Sequence, residues 1–141
     1  MRTFTILLFV MMTPFLWAQN DSIKRYRLPE LSHLNFAHNA YELQASHKSE
    51  LEIIARHMQQ HPELGLLIIG HTDDTGSNTV NTTFGSLRAQ SIVNYLCSIG
   101  IEKSRISFGS QGEENPLFND TTNFARSQNR RVELKFYFLN I

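Results

Sequence analysis

Only one cysteine, Cys97, stands among 141 residues. No intrachain disulfide can form, so the fold must hold by packing. Cys97 falls in a helical pattern and reads as a small buried hydrophobe rather than a reactive thiol. Excess charge is missing too. Thirteen basic and 13 acidic residues give a formal net charge of +0, which argues against a basic nucleic-acid binder and gives no reason to invoke an anionic membrane surface. No apolar run reaches the roughly 17–25 residues that span a bilayer. Internal repeats and low-complexity tracts are absent. His57 and His61 stand four apart on one helical pattern, but no Glu occupies the H-E-x-x-H position and no third ligand is evident. Asp73 and Asp74 lack the D-x-D-x-D-G frame of a calcium loop. Ser86, Ser91 and Cys97 have no paired base that spacing identifies. The expectation from these absences is a chain without a metal site, a cofactor or catalytic residues that spacing identifies.

What is present begins with "MRTFTILLFVMMTPFLWAQ", in which Arg2 precedes a mostly apolar run of 14 residues from Phe4 to Trp17. The run is too short to span a bilayer, and Ala18 is a small residue suited to a signal-peptidase site. Residues 1–18 are therefore expected to be a cleaved secretory signal peptide, the alternative being an uncleaved membrane anchor. No cysteine lies near the cleavage point, which argues against a lipid-modified N-terminus. Residues 19–30 are polar and read as a short tether. Residues 31–141 form one domain. Its 41% apolar and 18% charged composition is ordinary for a globular chain, and its size supports one core without staples.

Leu31–Phe36 has partial alternation and predicts a first strand. From Glu42 to Gln60, Leu43, Leu51, Ile54, Ala55 and Met58 fall near one stripe of a 3.6-residue period, which predicts an amphipathic helix ended by Pro62. "LGLLIIGH", Leu64–His71, is a continuous apolar run suited to a strand buried on both faces. A polar turn-rich loop, His71–Asn78, leads to a second helix over about Asn81–Ile99, with Phe84, Leu87, Ile92, Leu96 and Ile99 inward and Gly100 as its C′ residue. "RISFGSQ" predicts a short third strand. A long polar loop, Gly112–Gln128, holds a helical turn near Asn123–Gln128. In "RVELKFYF", Arg131–Phe138, Val132, Leu134, Phe136 and Phe138 alternate with Glu133, Lys135 and Tyr137, which predicts the last strand. The order β-α-β-α-β-β argues for an α+β two-layer sandwich with a mixed sheet.

Asp73 lies just beyond the second strand and Arg88 lies inside the following helix. The helix packs back over the sheet, so the two can converge at the crevice where open α/β sheets tend to take ligands. An aspartate accepts hydrogen bonds only, and an arginine offers a planar fork that matches a carboxylate. Together they suit a zwitterion, the aspartate taking an ammonium and the arginine the neighbouring carboxylate. Spacing alone also fits a turn aspartate bonding its own backbone, with Arg88 paired to Asp73 or Asp74.

"HTDDTGSNTVNTTFGSLRAQSIVNYL" resembles the OmpA-like domain family, whose pattern is T-D-x2-G-x4-N-x2-L-S-x2-R-A-x2-V-x3-L. Thr72, Asp73, Gly76, Asn81, Arg88, Ala89 and Leu96 stand in register with it. The sequence departs at Phe84-Gly85, where Leu-Ser is usual, and at Ile92. "NFAHNAYEL", "GSQGEENP" and "NRRVEL" extend the likeness over Leu34–Phe138, with Ala37 where Asp or Asn often stands. The resemblance implies non-covalent binding of peptidoglycan through the diaminopimelate of the stem peptide, held by Asp73 and Arg88. It also makes Thr72 and Asn81 motif positions, although Asn81 is expected to cap the second helix. Phe36 and Asn39 at the first strand end lie on the same rim. Arg130 and Arg131 match the family's N-R-R: Arg130 completes the expected ligand-binding set, with buttressing of the loop by salt bridges from these arginines as the alternative. The protein is thus expected in the periplasm of a diderm bacterium, alone or at the outer membrane, with a homodimer or an outer-membrane protein as a further partner. The same fold would also serve an envelope adaptor that binds a protein instead of the wall.

Overall fold

The structure, a computed structural model, describes residues 33–139. The expected signal peptide, residues 1–18, and tether, residues 19–30, lie outside the described residues. Four strands and three helices follow one another: β1 (Leu34–Asn35), α1 (Ala45–Gln60), β2 (Leu64–His71), α2 (Asn78–Ser98), β3 (Ile106–Gly112), α3 (Asn123–Asn129) and β4 (Arg131–Phe138), with a short 3₁₀ turn at Lys103–Arg105. The sheet order is β1-β4-β2-β3. β2 runs parallel to β3 and antiparallel to β4, and β1 runs antiparallel to β4. The mixed sheet and α+β class are those expected. The helical turn expected near residue 123 is a full short helix, so the order becomes β-α-β-α-β-α-β.

β2 is central because its sequence can tolerate neighbours on both edges. Its register with β4 pairs Leu66 with Phe136, Ile68 with Leu134 and Gly70 with Val132. These residues share the face that packs on the helices, where Leu51, Ile54, Met58, Ile92 and Leu96 complete the core. The opposite face carries Leu67 and Ile69 across from Lys135 and Glu133, and both are only half-buried. The expectation of burial on both faces is corrected on this side: from β4 it is covered by the stems of Glu133 and Lys135 and by the Tyr137 ring over Gly65.

α2 lies unusually close to the sheet. A Cβ built on Gly70 would stand 1.9 Å from the Gly85 carbonyl oxygen, and one built on Gly85 would stand 2.1 Å from Ser110 Oγ. Gly85, a departure from the usual pattern, is thus where the helix backbone rests on β2 and β3. The helix begins at Asn78, with Ser77 as its N-cap accepting from the Val80 amide at 3.3 Å. Asn81 is therefore not the cap. It stands a turn further in, because Ser77 follows Gly76 (φ 102°) at the point where the loop turns into the helix. Leu87 is exposed at 38%, contrary to expectation. The buried stripe instead runs Asn81, Gly85, Arg88, Ala89, Ile92, Val93 and Leu96, so a charged and a polar residue occupy places that an apolar pattern assigns elsewhere. At the far end Gly100 (φ 96°) donates to Cys97 and Ile101 donates to Leu96, a Schellman ending. α1 starts later than expected, at Ala45, where Gln44 and His47 form a capping box; Leu43 packs on the core from the preceding loop.

Candidate functional site

Four segments meet at the C-terminal end of β2: the loop after β1 (residues 36–40), the residues after β2, the first turns of α2, and Arg130 at the junction of α3 and β4. They enclose a hollow of about 30 Å³ lined by Thr72, Asp73, Asn39, Asn81, Arg88 and Arg130, together with His38, Thr75, Val80 and Phe84. Six of the seven residues singled out in the sequence thus share one cavity. The seventh, Phe36, is core: it is 4% exposed, and its ring lies under the Arg88 guanidinium at 5.5 Å. A space this small holds about two water molecules, so only the tip of a ligand can enter while its body stays outside.

Asp73 is 3% exposed. Its Oδ1 accepts from the Thr75 amide at 3.0 Å and from the Thr75 hydroxyl, an Asx turn across its own loop. Its Oδ2 accepts from Arg130 Nη1 at 2.8 Å. Burial pushes the carboxyl pKa upward, but the hydrogen bonds from Thr75 and Arg130 outweigh it and hold the group below the usual carboxylate range. A carboxylate has four lone-pair sites, so one remains beyond these three donors.

Arg88, 2% exposed, donates from Nε to the Ala40 carbonyl at 2.8 Å, from Nη1 to His71 at 2.9 Å and from Nη2 to Ala37 at 3.3 Å. Its guanidinium thus ties the residue 36–40 loop to the end of β2. Phe36 and Phe84 supply ring contacts at 5.5 and 6.0 Å. Burial, and then the nearby Arg130 charge, lower its pKa to about 10, with Asp73 opposing; it stays a cation at neutral pH. Three of its five N–H groups are used, leaving one on each terminal nitrogen. Arg130 also donates from Nε to the Phe36 carbonyl at 3.0 Å.

The direct ion pair of Asp73 is therefore with Arg130, from the junction of α3 and β4, and Arg88 is held by backbone. The pairing of Arg88 with Asp73 or Asp74 that spacing allowed is replaced by this division; Asp74 pairs with Arg126 at 2.6 Å. With two arginines and one aspartate the hollow carries net positive charge, which suits a carboxylate. Asn39 adopts φ 53°, a conformation that asparagine tolerates. Asn81 donates to Glu113 Oε2 at 2.8 Å. The Thr72 hydroxyl is buried without a partner. The pattern missed His38, Thr75, Val80 and Phe84; Thr75 had a local signal, two residues after a turn aspartate, and so did Val80 and Phe84, eight and four residues before Arg88 on one helix face. Among the described residues no three His, Cys, Asp or Glu side chains gather where a metal ion could sit.

Over most of its length the chain is similar to known proteins. The chain is 29% identical over 103 residues to "Probable lipoprotein YiaD" of Escherichia coli, covering 73% of this chain and 47% of that one. It is 31% identical over 98 residues to "Peptidoglycan-associated lipoprotein" of Legionella pneumophila, covering 70% and 56%. The chain thus spans about half the length of these relatives. The crystal structure of the peptidoglycan-associated lipoprotein from Burkholderia pseudomallei superposes with a TM-score of 0.73 at 27% identity, covering 74% of this chain and 89% of that one. The OmpA family model matches residues 35–130, from β1 to the arginine that holds Asp73. The chain belongs to the OmpA family.

Proposed function

We propose that this protein binds peptidoglycan non-covalently, taking into the hollow the diaminopimelate end that bears an ammonium and a carboxylate on one carbon. The observation that carries the reading is the joint burial of Asp73 and Arg88 on one small cavity, each with hydrogen-bonding capacity left over. The free lone pair of Asp73 accepts the ammonium. The two unused N–H groups of Arg88 meet the carboxylate. Arg130 keeps Asp73 ionised and aimed. Relatives named for association with peptidoglycan support the reading. It places the protein in the periplasm of the cell envelope, as a binder and not an enzyme.

Each charge-assisted hydrogen bond contributes about 1.5–3 kcal/mol at best, and the tip is half in water. One domain binds weakly, so firm retention on the wall calls for a second copy or an outer-membrane partner that raises avidity. The test is sedimentation of the full chain with purified sacculi, alongside titration with free diaminopimelate. Binding to both, competed by diaminopimelate and without release of soluble fragments, is expected. A folded protein that stays in the supernatant and ignores diaminopimelate would overturn the reading in favour of an adaptor that binds a protein.

A further inference from the structure

Thr72 lines a second cavity as well, bounded by the loop between β3 and α3 and measuring about 400 Å³, within the size range of small-molecule sites. Its walls carry three carboxylates, Asp74, Glu113 and Asp120, and no lysine, arginine or histidine. Arg126 neutralises Asp74 with two hydrogen bonds, at 2.6 and 3.1 Å. Glu113 receives an amide N–H from Asn81, and Asp120 receives the amide and hydroxyl of Thr122. Those donors are neutral, so among the described residues two negative charges have no positive partner at the cavity. On the wall shared with the hollow, Thr72 is 5% exposed and its hydroxyl has no partner, a group that burial penalises until something bonds it. Phe118 and Pro116 add an apolar wall. Asn129, buried, fixes that wall by accepting from the amides of Leu117 and Phe118 and donating to the Phe118 carbonyl.

We propose that this cavity is a separate site for a primary ammonium group carried on an aliphatic or sugar body. The free carboxylates match the charge, the Thr72 hydroxyl accepts an N–H, and the Phe118 ring favours a cation beside it. An anion is repelled here, so the cavity does not continue the carboxylate end of the hollow. Asp73 is not on its wall, and the inference stands whatever the hollow binds.

The test is an amide-shift NMR titration of the full chain with cadaverine and with D-glucosamine, with N-acetyl-D-glucosamine as the uncharged control. Shifts at Glu113, Phe118 and Asp120, which do not line the hollow, are expected with an amine and not with the control. The tighter amine identifies an alkyl or a sugar body. The double variant Glu113→Gln, Asp120→Asn keeps acceptors for Asn81 and Thr122 and should bind about tenfold more weakly, while Asp73→Asn binds as the parent does. No shifts at these amides at saturating amine, an equal response to the control, or loss of binding in Asp73→Asn with the double variant unaffected would each overturn the site.

Discussion

Arg88 holds two jobs that separate substitutions can pull apart. It fastens three backbone carbonyls and, in the proposed function, grips a carboxylate. Arg88→Lys keeps the charge but not the fork, so it should lower stability by about 2 kcal/mol or more and abolish binding to sacculi. Asp73→Asn keeps an acceptor for Thr75 but loses both the charge and the oxygen that accepts from Arg130, so it should lose diaminopimelate while circular dichroism still reports a folded protein. Normal wall binding by a folded Asp73→Asn would exclude the ammonium contact. The two charges were legible because their side-chain chemistry and fifteen-residue spacing are written in the chain. That Arg130 or Arg131 buttresses the loop by salt bridges was legible as an alternative, but not that its partner is Asp73, because Arg130 arrives from 57 positions away. Nor were the partners of Arg88, because a backbone carbonyl has no residue identity to read. His38 reaches the hollow only through tertiary packing, whereas Val80 and Phe84 stand eight and four residues before Arg88 on one face of α2.

Strands β2 and β4 agree end for end with the sequence pattern, since a run of apolar residues and a strict alternation each leave little freedom of register. α2 was less legible at its start, where several polar residues compete for the cap. Ser77→Ala removes the acceptor for Val80 and should cost about 1 kcal/mol; Asn81→Ala instead releases Glu113 and should leave the helix start in place. Backbone amide shifts of residues 78–80 distinguish the two. The close crossing of α2 over β2 could not be foreseen, because glycine in a strand or helix pattern reads first as a weakness. Here it is a contact. Gly70→Ala forces the Gly85 backbone outward, and neither neighbour is a flexible side chain that can give way. A loss of about 1–3 kcal/mol, as for overpacking, is expected in urea denaturation, with the hollow deformed because Arg88 rides on the same helix. Full retention of both stability and wall binding would mean that the two backbones are further apart than 1.9 Å implies.

Beyond single elements, the fold gathers buried and half-buried titratable groups, His71, Glu133 and Asp73, whose shifts all point one way. His71 is 1% exposed, with neither ring nitrogen hydrogen-bonded. Burial, and then Arg131, lower its pKa from 6.5 to about 4, while Glu133, 3.5 Å from Nε2, opposes them and Lys135 adds to them. Burial would raise Glu133, yet Lys135 and Arg131 hold it at about 2. Asp73 is held low as well. In each case the unfolded chain takes up its proton at a higher pH than the folded one, so stability falls as pH falls. For His71 nothing is lost above pH 6.5, and the loss grows as pH drops to about 4, where it reaches about 3 kcal/mol. The carboxylates take over below about pH 4.5. Acid therefore weakens the end of β2, and the His71 carbonyl that holds Arg88 goes with it. His71→Leu removes the titration and breaks no hydrogen bond of the ring. Its urea midpoint should match the parent near pH 7 and stay flat to pH 4.5, where the parent declines. Parallel curves for the two proteins across pH 6.5–4.5 would show that the buried imidazole is not what makes this fold acid-sensitive.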